Sequence, residues 1–382
     1  MPSKRKRKKE EPSSPTQTQQ SSPFLSLPYD LLLDCVARVS RLYYPTLSLV
    51  CKRFRSLLAS PELYKARSLS GNTERCLYVC IRRHSIDSRW YTLWRKPDKT
   101  LNKDDTKSKP TDYALARVPF PESTQSSFEG LVAVGSSIYQ IAQSAGNYSV
   151  SVLDCRSHTC REAPSYPVKL WTRSASVVDQ KIYVPGRVPS FVDGDSVCNM
   201  FHVLDTETQV WDPLPPPRIP CKGGKYSVFG TACIDGKFHA MTSSDVDAAY
   251  NSKEGRWDVF SSGMSDYMID DSYCVIGNVL YSASRGKFRW YDREVHEWRG
   301  LNGLVGLPKL GHEHEIRLAD YGGNMVVFWN QYLYRMSKIW CAEVSLERRR
   351  ESCGIWGKVE WLDQVGILPA EVDLIKVLAL TV

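Results

Sequence analysis

A short unit that recurs along the chain constrains its fold more than any other feature. The unit is an apolar pair, a turn containing Gly or Asp, and a second apolar or aromatic run, as in Ile234-Asp235-Gly236-Lys237-Phe238-His239. Such a turn between two short apolar runs predicts a β-hairpin. Intervals of 44, 56 and 42 residues separate the final positions of the clear copies, Tyr139, Tyr183, His239 and Tyr281. A weaker copy surrounds Tyr321-Gly322-Gly323-Asn324-Met325-Val326. Self-similarity at this period predicts stacked β-units.

A second unit follows each of the first ones. It is a strand that ends in Asp or Asn, a polar turn, and a Trp six residues after the Asp or Asn. The pairs are Asp205 with Trp211, Asn251 with Trp257, Asp292 with Trp298, and Asp154 with Cys160 in place of the Trp. We interpret the Asp or Asn as the turn residue and the Trp as a large plate that fills the space between neighbouring sheets. The same interpretation is given to Trp171.

The two units together predict a ring of sheets. Four-stranded propeller blades repeat at about 40 to 50 residues, and one blade alone has no stable core. Residues 76–382 therefore allow about six blades. The final apolar run, residues 372–382, is expected to pair beside a hairpin formed from residues 77–95 and so close the ring. The polar residues 97–110 are expected to form an exposed loop.

These paired units are similar to kelch repeats. The resemblance is good over residues 128–300 and poor over 76–127 and 301–382. The chain departs from the kelch pattern because Tyr183 is followed by Val184-Pro185-Gly186, where a diglycine is expected. The resemblance implies an all-β kelch-type β-propeller of about six four-stranded blades.

The segment before the repeats has the period of a helix. Leu31, Leu32, Cys35, Val36 and Val39 recur at helical spacing. A second helix is predicted to open at Pro45 and to end before Ser60-Pro61, and a short third one to run from Glu62 through Arg67. A segment of about 45 residues with this many apolar side chains cannot bury them alone, so it needs either the propeller or a partner.

Two stretches of this segment resemble an F-box, in particular that of plant F-box/kelch-repeat proteins. They are Ser26-Leu27-Pro28-Tyr29-Asp30-Leu31-Leu32 and Leu47-Ser48-Leu49-Val50-Cys51-Lys52-Arg53-Phe54-Arg55-Ser56-Leu57. Phe54 stands at a position that is often Trp in this family. The resemblance implies binding to a Skp-type adaptor and, through it, to a cullin-RING ubiquitin ligase. The expected adaptor-contact or supporting residues are Leu27, Pro28, Leu31, Cys35, Leu47, Val50, Cys51, Phe54 and Leu57. The alternative for each of them is packing within the module's own core.

We therefore predict an α+β multidomain chain. A tail at residues 1–22, rich in basic and polar residues, is expected to be disordered. A small three-helix F-box module is predicted at 23–70, and the kelch-type propeller at 76–382. Neither an apolar leader nor a stretch of 18 apolar residues is present in the sequence, so no membrane association is expected.

The net charge of +8 is concentrated at the start of the chain. Six of the positive charges belong to Lys4, Arg5, Lys6, Arg7, Lys8 and Lys9. The remaining residues are nearly balanced, so a nucleic-acid surface is not expected. The basic run is interpreted as a nuclear-import address, with a solubilising tail as the alternative, and we expect the protein in the nucleus, the cytoplasm or both.

The sequence contains no motif that carries catalysis. A nucleophile elbow, a P-loop, a dinucleotide fingerprint and H-E-x-x-H are all absent, and the 12 cysteines contain no C-x-x-C. The nearest approach to a metal cluster is His312-Glu313-His314-Glu315, which we interpret as a solvated turn. No catalytic residue, metal or cofactor is therefore expected.

The predicted function is that of a substrate-recognition subunit of a Skp-cullin-F-box ubiquitin ligase, in which the propeller binds an unknown protein target. One alternative is a kelch scaffold or small-molecule binder without a ligase role, and another is a propeller hydrolase or oxidase. Target contacts are expected from loops at one end of the propeller channel. The candidate loops lie near Arg173 and at residues 187–195, 222–226, 266–271 and 312–317.

Overall fold

The computed structural model describes most of the chain from residue 27 onward. The described residues are 27–83, 87–96, 112–118, 120, 127–144, 147–168, 174–189, 197–220, 226–244, 246–268, 272–311, 314–349, 353–369 and 371–382. The predicted tail at 1–22 with its basic run Lys4 to Lys9, the predicted loop at 97–110, and Trp171 lie outside these residues.

Four short α-helices form the first part of the described chain. They are α1 (Tyr29–Ala37), α2 (Tyr44–Val50), α3 (Lys52–Leu58) and α4 (Pro61–Leu69), and a 3-10 turn at Arg41–Tyr43 precedes α2. The helix predicted to open at Pro45 and to end before Ser60-Pro61 is thus two helices, broken at Cys51, so the predicted three-helix module has four helices. The backbone of Cys51 is extended, with φ −161° and ψ 166°, and its Sγ accepts from the amide of Phe54 at 3.4 Å. Cys51 therefore caps α3, because its side chain satisfies a free amide at the helix start.

The strands after the helices form six four-stranded antiparallel sheets within the described residues, which confirms the predicted blade number and fold class. Blade 1 consists of β1 (Arg75–Arg83), β2 (Asp87–Arg95), β3 (Tyr113–Arg117) and β24 (Val372–Thr381). Blade 2 consists of β4 (Ser127–Val134), β5 (Ser137–Ser144), β6 (Asn147–Asp154) and β7 (Thr159–Ala163). Blade 3 consists of β8 (Ser176–Val178), β9 (Lys181–Pro189), β10 (Val197–Asp205) and β11 (Val210–Leu214).

The other three blades follow the same order along the chain. Blade 4 consists of β12 (Val228–Ile234), β13 (Lys237–Thr242), β14 (Asp247–Asn251) and β15 (Arg256–Phe260). Blade 5 consists of β16 (Tyr273–Ile276), β17 (Val279–Ser282), β18 (Arg289–Asp292) and β19 (Glu297–Gly300). Blade 6 consists of β20 (Ile316–Tyr321), β21 (Asn324–Leu333), β22 (Met336–Arg349) and β23 (Gly354–Pro369).

The ring closes through the last strand of the chain. Strand β24 pairs antiparallel with β1, from Arg75 opposite Thr381 to Arg83 opposite Val372, and supplies the inner strand of blade 1. The inner strands β4, β8, β12, β16, β20 and β24 each contact the next around the channel. The predicted closing role of the final apolar run is confirmed. Closure by β24 pairs the inner edge of β1, which would otherwise be exposed.

Both repeated units have a direct structural reason. The first unit is the hairpin between the inner two strands of a blade, and its two turn residues adopt positive φ in Asp179-Gln180, Asp235-Gly236, Gly277-Asn278 and Gly322-Gly323. Turns of this hand match the twist of the paired strands, which explains the Gly, Asp and Asn. In the second unit the carboxylate of Asp205 accepts from the amides of Glu207 and Thr208, at 2.9 and 3.1 Å, and so holds the turn before Trp211.

The repeated Trp side chains tie blades 3, 4 and 5 to the links that precede them. Nε1 of Trp211 donates to the carbonyl of Pro164 at 2.9 Å. In the same way, Nε1 of Trp257 donates to the carbonyl of Pro215 at 2.7 Å, and Nε1 of Trp298 donates to that of Gly263 at 2.9 Å. Trp257 also makes an edge contact with Phe201 of the preceding blade, with ring centroids 5.2 Å apart. The interpretation of these Trp residues as filler between blades holds for Trp257 and Trp298, and each adds a hydrogen bond that the sequence did not predict.

Candidate partner-binding surfaces

The helical module is seated on the propeller through a shared apolar core. Buried side chains of the four helices belong to the same cluster as buried side chains of blades 1 and 2. The helical members include Leu32, Val36, Phe54, Leu57, Leu63 and Tyr64, and the propeller members include Tyr78, Trp90, Ile138, Leu153 and Leu380. Each large apolar side chain buried in this way contributes about 1.5–3 kcal/mol. One face of the module is therefore covered by the propeller.

Arg67 of α4 holds the module together from inside this seat. Its side chain is only 2% exposed. Nη1 donates to the carbonyls of Ala37 and Val39 at 3.0 and 2.7 Å, and to the hydroxyl of Tyr44 at 3.0 Å. Nη2 forms an ion pair with Glu74 at 3.2 Å, just before β1 begins. This guanidinium therefore links the end of α1, the start of α2 and the first strand of the propeller.

Arg41 makes the second polar link, from the 3-10 turn to blade 2. Its Nη2 donates to the carbonyl of Cys155 at 2.8 Å, and the hydroxyl of Tyr78 donates to the same carbonyl at 2.9 Å. The Tyr78 hydroxyl also lies 3.0 Å from Nε2 of His158. Burial, and next the positive charge of Arg41, lower the pKa of His158 to about 4. His158 is therefore neutral at pH 7 and serves this seam as a hydrogen-bonding group.

Away from the seat, the module leaves large apolar side chains in solvent. Leu31 on α1 is 55% exposed, and Leu49 and Val50 on α2 are 78% and 61% exposed. Tyr29 on α1 is also exposed. Single exposed apolar residues are common, but several on two short neighbouring helices mark an interaction surface. We refer to Tyr29, Leu31, Leu49 and Val50 as the exposed apolar set.

The nine residues expected to bind or support the adaptor fall into three groups. Those exposed to solvent are Pro28, Leu31, Cys35 and Val50. Those partly buried are Leu27, Leu47 and Cys51, of which the last two lie against the shared core. Phe54 and Leu57 are buried in that core. The structure thus makes the first group available for direct contact and gives the last two a supporting position.

Two members of the exposed apolar set were not among the expected residues. Tyr29 lies within the first F-box-like stretch, and Leu49 lies within the second. A continuous helix from Pro45 would have placed Leu49 off the apolar face defined by Leu47, Val50 and Phe54. The break at Cys51 ends that helix, so Leu49 belongs to a separate two-turn helix whose outer side is uncovered. Predicting the helix break at Cys51 from the sequence would have been needed to identify Leu49.

The two ends of the propeller differ in what they carry. One end of the propeller holds two turns of each blade, the turn between strands one and two and the turn between strands three and four. The module sits at this end, because Arg41 donates a hydrogen bond to Cys155 in such a turn of blade 2. At the same end, the hydroxyl of Tyr321 donates to the carbonyl of Arg75, which begins β1 just after the module. Since strands alternate in direction, the links between blades and the turns between strands two and three lie at the opposite end. We refer to this as the loop end.

The described parts of the candidate target-binding loops belong to the loop end. Among the described residues, 266–268, 314–315 and Tyr226 lie in links between blades, whereas 187–189 end β9 and 316–317 begin β20. Arg173 and residues 190–195, 222–225, 269–271 and 312–313 lie outside the described residues. In the described half of the His/Glu cluster, Glu315 accepts from the amide of Leu374 at 2.7 Å and so supports β24.

Blade 6 adds a feature to the loop end that the sequence did not predict. The turn between β21 and β22 projects Tyr332, Leu333, Tyr334 and Met336 into solvent, and Tyr334 is 94% exposed. Tyr334 and Arg335 adopt φ 48° and φ 67°, the left-handed region that non-glycine residues rarely occupy. A strained turn that presents apolar side chains is typical of a binding site. We refer to these four residues as the blade 6 tip.

The described residues show neither a metal cluster nor a membrane-spanning helix. They contain no group of three or more His, Cys, Asp or Glu side chains arranged to hold a metal ion. None of their helices is long and apolar enough to cross a membrane.

Comparison with known proteins gives matches over nearly the whole chain. A family model described as an F-box domain matches residues 24–66, and one described as FKB95, Kelch-repeats domain matches residues 90–366. The F-box/kelch-repeat protein At5g51250 of Arabidopsis thaliana is 50% identical over 370 residues, which cover 92% of this chain and 98% of that protein. At3g06570 and At3g08810, two further F-box/kelch-repeat proteins of the same plant, are 49% and 48% identical and cover 98% and 99% of this chain and 98% of each relative.

Proposed function

The chain belongs to the F-box/kelch-repeat family, and on this premise we propose that it is the substrate-recognition subunit of a Skp-cullin-F-box ubiquitin ligase. The chain has the architecture of an F-box substrate adaptor, with a small helical module for one partner and a propeller for another. In this proposal the module binds a Skp-type adaptor, and the adaptor connects it to a cullin-RING assembly.

One observation carries the proposal: the module is only half covered. Its inner face shares a core with blades 1 and 2, while Leu31, Leu49 and Val50 remain in solvent. Amphipathic helices with uncovered apolar side chains bind partners by placing those side chains in a complementary groove. The partner proposed for this surface is the adaptor, and the propeller fixes its position relative to the target.

The proposed mechanism is proximity and involves no catalytic step by this chain. Target and adaptor would bind at opposite ends of one rigid body, so the ligase that arrives with the adaptor meets a target held at high effective concentration. The loop end is the proposed target surface, and the blade 6 tip is its most exposed apolar part in the described residues. Ubiquitin transfer would then take place on the other subunits.

The basic run Lys4 to Lys9 is the proposed nuclear-import address. Replacing these six residues by Gln should move a fluorescently tagged chain from the nucleus to the cytoplasm. An unchanged distribution would leave the run as a solubilising tail.

The adaptor assignment is tested by pull-down of a purified Skp-type adaptor with the full chain. Leu31→Asp and Val50→Asp should each weaken binding about 100-fold, since truncating or charging a central apolar contact commonly costs 2–4 kcal/mol. Val295→Asp is the matched control, because Val295 is also an exposed valine but lies in the propeller. Its binding should equal that of the wild type.

The ligase role is separated from a scaffold role by proximity labelling during proteasome inhibition. With the wild-type chain, the labelled target should carry ubiquitin. With Leu31→Asp, the same target should be labelled but not ubiquitinated, because the propeller is untouched. If the target is labelled equally and is never ubiquitinated with either chain, the protein is a kelch scaffold and the proposal fails.

A further inference from the structure

A groove lies between the helical module and the propeller, beside the exposed apolar set. Its volume is about 490 Å³, within the range of about 300–1,000 Å³ that is typical of binding pockets. The walls come from α2, α3 and the 3-10 turn of the module, from β2 and β3 of blade 1, and from the turn between β6 and β7 of blade 2. Leu49 lines this groove and is also 78% exposed on α2, so a partner that covers Leu49 also reaches the mouth of the groove.

The inside of the groove is largely apolar. The apolar side chains that line it are Leu42, Pro45, Leu58, Leu93 and Val118. Arg41 lies beneath them and presents no donor to the groove, because its Nη2 donates to Cys155 and Tyr78 and its Nη1 is buried. The interior therefore favours an apolar side chain of a partner.

The hydroxyl groups along the groove are engaged by the protein itself. Four of them donate to backbone carbonyls: Tyr44 to Val36, Tyr64 to Leu58, Ser48 to Pro45, and Thr92 to Leu77. Specific small-molecule sites place a few convergent polar groups inside an apolar pocket. With its inner hydroxyls used in this way, the groove suits a segment of a protein chain better than a free small molecule.

The rim of the groove carries positive charge. The exposed arginines that line it are Arg55, Arg75, Arg117 and Arg156. Of these, Arg75 is paired with Asp320 at 3.6 Å. Arg55 of α3 and Arg156 of blade 2 form no ion pair with a carboxylate of the described residues. The one carboxylate in the described lining, Glu74, is engaged by Arg67. The rim therefore favours a partner that carries negative charge.

We propose that this groove receives an acidic segment of the adaptor, with an apolar side chain inside the groove and carboxylates beside Arg55 and Arg156. The proposal rests on the proposed function, because it takes the adaptor as the partner that covers Leu49. One continuous segment can cover Leu49, fill the apolar interior and pair with both sides of the rim. The propeller thus shares in adaptor binding through blades 1 and 2, and this second contact fixes the direction in which the adaptor leaves the module.

Charge reversal on the propeller tests the rim without touching the helical module. Arg156→Glu should raise the Kd of a purified Skp-type adaptor for the full chain about fivefold at low salt, and the difference should shrink at high salt as the charges are screened. Arg218→Glu is the matched control, because Arg218 is also exposed but lies in the link between blades 3 and 4. Its Kd should equal that of the wild type at both salt concentrations.

Filling the groove tests its apolar interior. Ala59→Trp places a large side chain on the groove wall and leaves Leu31 and Val50 unchanged, so it should weaken adaptor binding about tenfold. Because Ala59 is exposed, the unfolding curve should stay that of the wild type. Val305→Trp is the matched control, because Val305 is highly exposed and lies in the link between blades 5 and 6.

A photocrosslinker identifies the segment that occupies the groove. Ser157 lines the groove in the turn between β6 and β7, and p-benzoylphenylalanine introduced in its place leaves the arginines intact. On irradiation with saturating adaptor, it should link to an adaptor peptide that contains Asp or Glu together with a large apolar residue. Thr208 is the matched control, because it occupies the equivalent turn of blade 3, between β10 and β11, and should give no crosslink.

The results separate this proposal from the adaptor assignment. Loss of adaptor binding in Leu31→Asp, with unchanged affinity in Arg156→Glu and Ala59→Trp, would overturn the groove proposal and leave the assignment standing. A crosslink from position 157 to a segment without acidic residues, or no crosslink at saturating adaptor, would overturn it as well. If the wild-type chain bound no adaptor at all, the assignment itself would fail and the groove proposal with it.

Discussion

The helical module and the propeller bury their apolar side chains in different ways. The four helices are seven to nine residues long, and they bury one face against the propeller while Leu31, Leu49 and Val50 stay in solvent. The inner and central strands of the propeller are covered on both faces by neighbouring blades, as in β21, where residues 325–330 are all buried. The ring of blades closes without the module, although blades 1 and 2 share a core with it, whereas the module has the propeller on one face and uncovered apolar side chains elsewhere.

Removing residues 372–382 should have the largest effect, because both regions depend on them. This segment provides the inner strand of blade 1, and Leu380 and Val382 also belong to the core under the helices. Its five buried side chains, Val372, Leu374, Val377, Leu380 and Val382, contribute together about 10 kcal/mol. That equals the whole stability of a typical domain, so cooperative unfolding should disappear.

Circular dichroism and Trp fluorescence check this loss. The α-helices of the described residues all lie in the module, and the 11 Trp residues all lie after residue 89, so the helical signal reports on the module and Trp fluorescence mainly on the propeller, with Trp90 also sensing the helices that cover it. Deletion of residues 1–22 is the control and should leave both transitions unchanged. A truncated chain that kept a sharp fluorescence transition would show that the ring does not need its closing strand.

Arg67→Ala should separate the unfolding transition of the module from that of the propeller. The change leaves Glu74 and the carbonyls of Ala37 and Val39 without their buried partner, and the expected loss of stability is about 3–5 kcal/mol. The helical signal at 222 nm should therefore melt well before Trp fluorescence changes.

Arg82→Ala is the matched comparison on the propeller. Arg82 also pairs with a carboxylate, Asp373 at 2.8 Å, but both side chains are more than a third exposed. The expected cost is at most about 1 kcal/mol, in both signals together. Equal effects of the two substitutions would contradict the view that a buried guanidinium holds the module.

Trp257→Ala should weaken the propeller and leave the module in place. The substitution removes a half-buried indole, its contact with Phe201 and its hydrogen bond to Pro215, at a cost of about 2 kcal/mol. Trp257→Phe keeps most of the plate and should cost about 1 kcal/mol, the value of the lost hydrogen bond. Fluorescence melting should shift, with adaptor binding unchanged. A shift in adaptor affinity would show that the two regions are coupled more tightly than the shared core implies.

Lowering the pH should weaken the contact between the module and the propeller around His158, with a smaller loss of stability than the substitutions above. The pKa of His158 is about 4 in the folded chain, below the ordinary value of about 6.5, so the unfolded chain takes up the proton first as the pH falls. The stability tied to neutral His158 is therefore full above pH 6.5 and is lost as the pH falls toward 4, by about 1 kcal/mol between pH 7 and 5.5. The groups around the ring are Tyr78, Arg41, Asp154 and Phe120.

His158→Gln should flatten this acid dependence for the helical signal, because Gln can bond to Tyr78 without titrating in this range. His239→Gln is the comparison within blade 4, since burial also lowers the pKa of His239 to about 4. That substitution should flatten the dependence of Trp fluorescence instead. Identical effects of the two variants on both signals would contradict the claim that His158 stabilises the contact between module and propeller specifically.

The propeller was largely predictable because each of its features is repeated. The Gly and Asp turns and the Asp-to-Trp spacing recur because each blade needs the same hairpin turns and the same packing between blades. Five imperfect copies were therefore enough to predict six sheets, and the apolar run at the end of the chain predicted their closure. The blade 6 tip was missed because it appears once, and only strand length reveals it. The bonds from Trp to the preceding link require two distant segments to be in place, which no local pattern encodes.

The module was predictable only in outline. Helical periodicity identifies an apolar face but does not tell whether a propeller or a partner covers it, and Phe54 and Val50 have the same spacing with opposite exposure. The break at Cys51 was missed because Cys is an unusual cap and the apolar period continues through it. The buried positions of Arg41 and Arg67 were also missed, since most of their acceptors are backbone carbonyls, which no sequence pattern marks.

Hydrogen-deuterium exchange of the full chain, with and without a saturating Skp-type adaptor, tests the central claim most directly. The claim is that a half-covered helical module, seated on a complete propeller, presents its uncovered side to the adaptor. Amides of α1 and α2 should gain protection, while those of the loop end and of blades 3 to 5 should not change. Protection confined to the propeller, or none anywhere at saturating adaptor, would contradict the account.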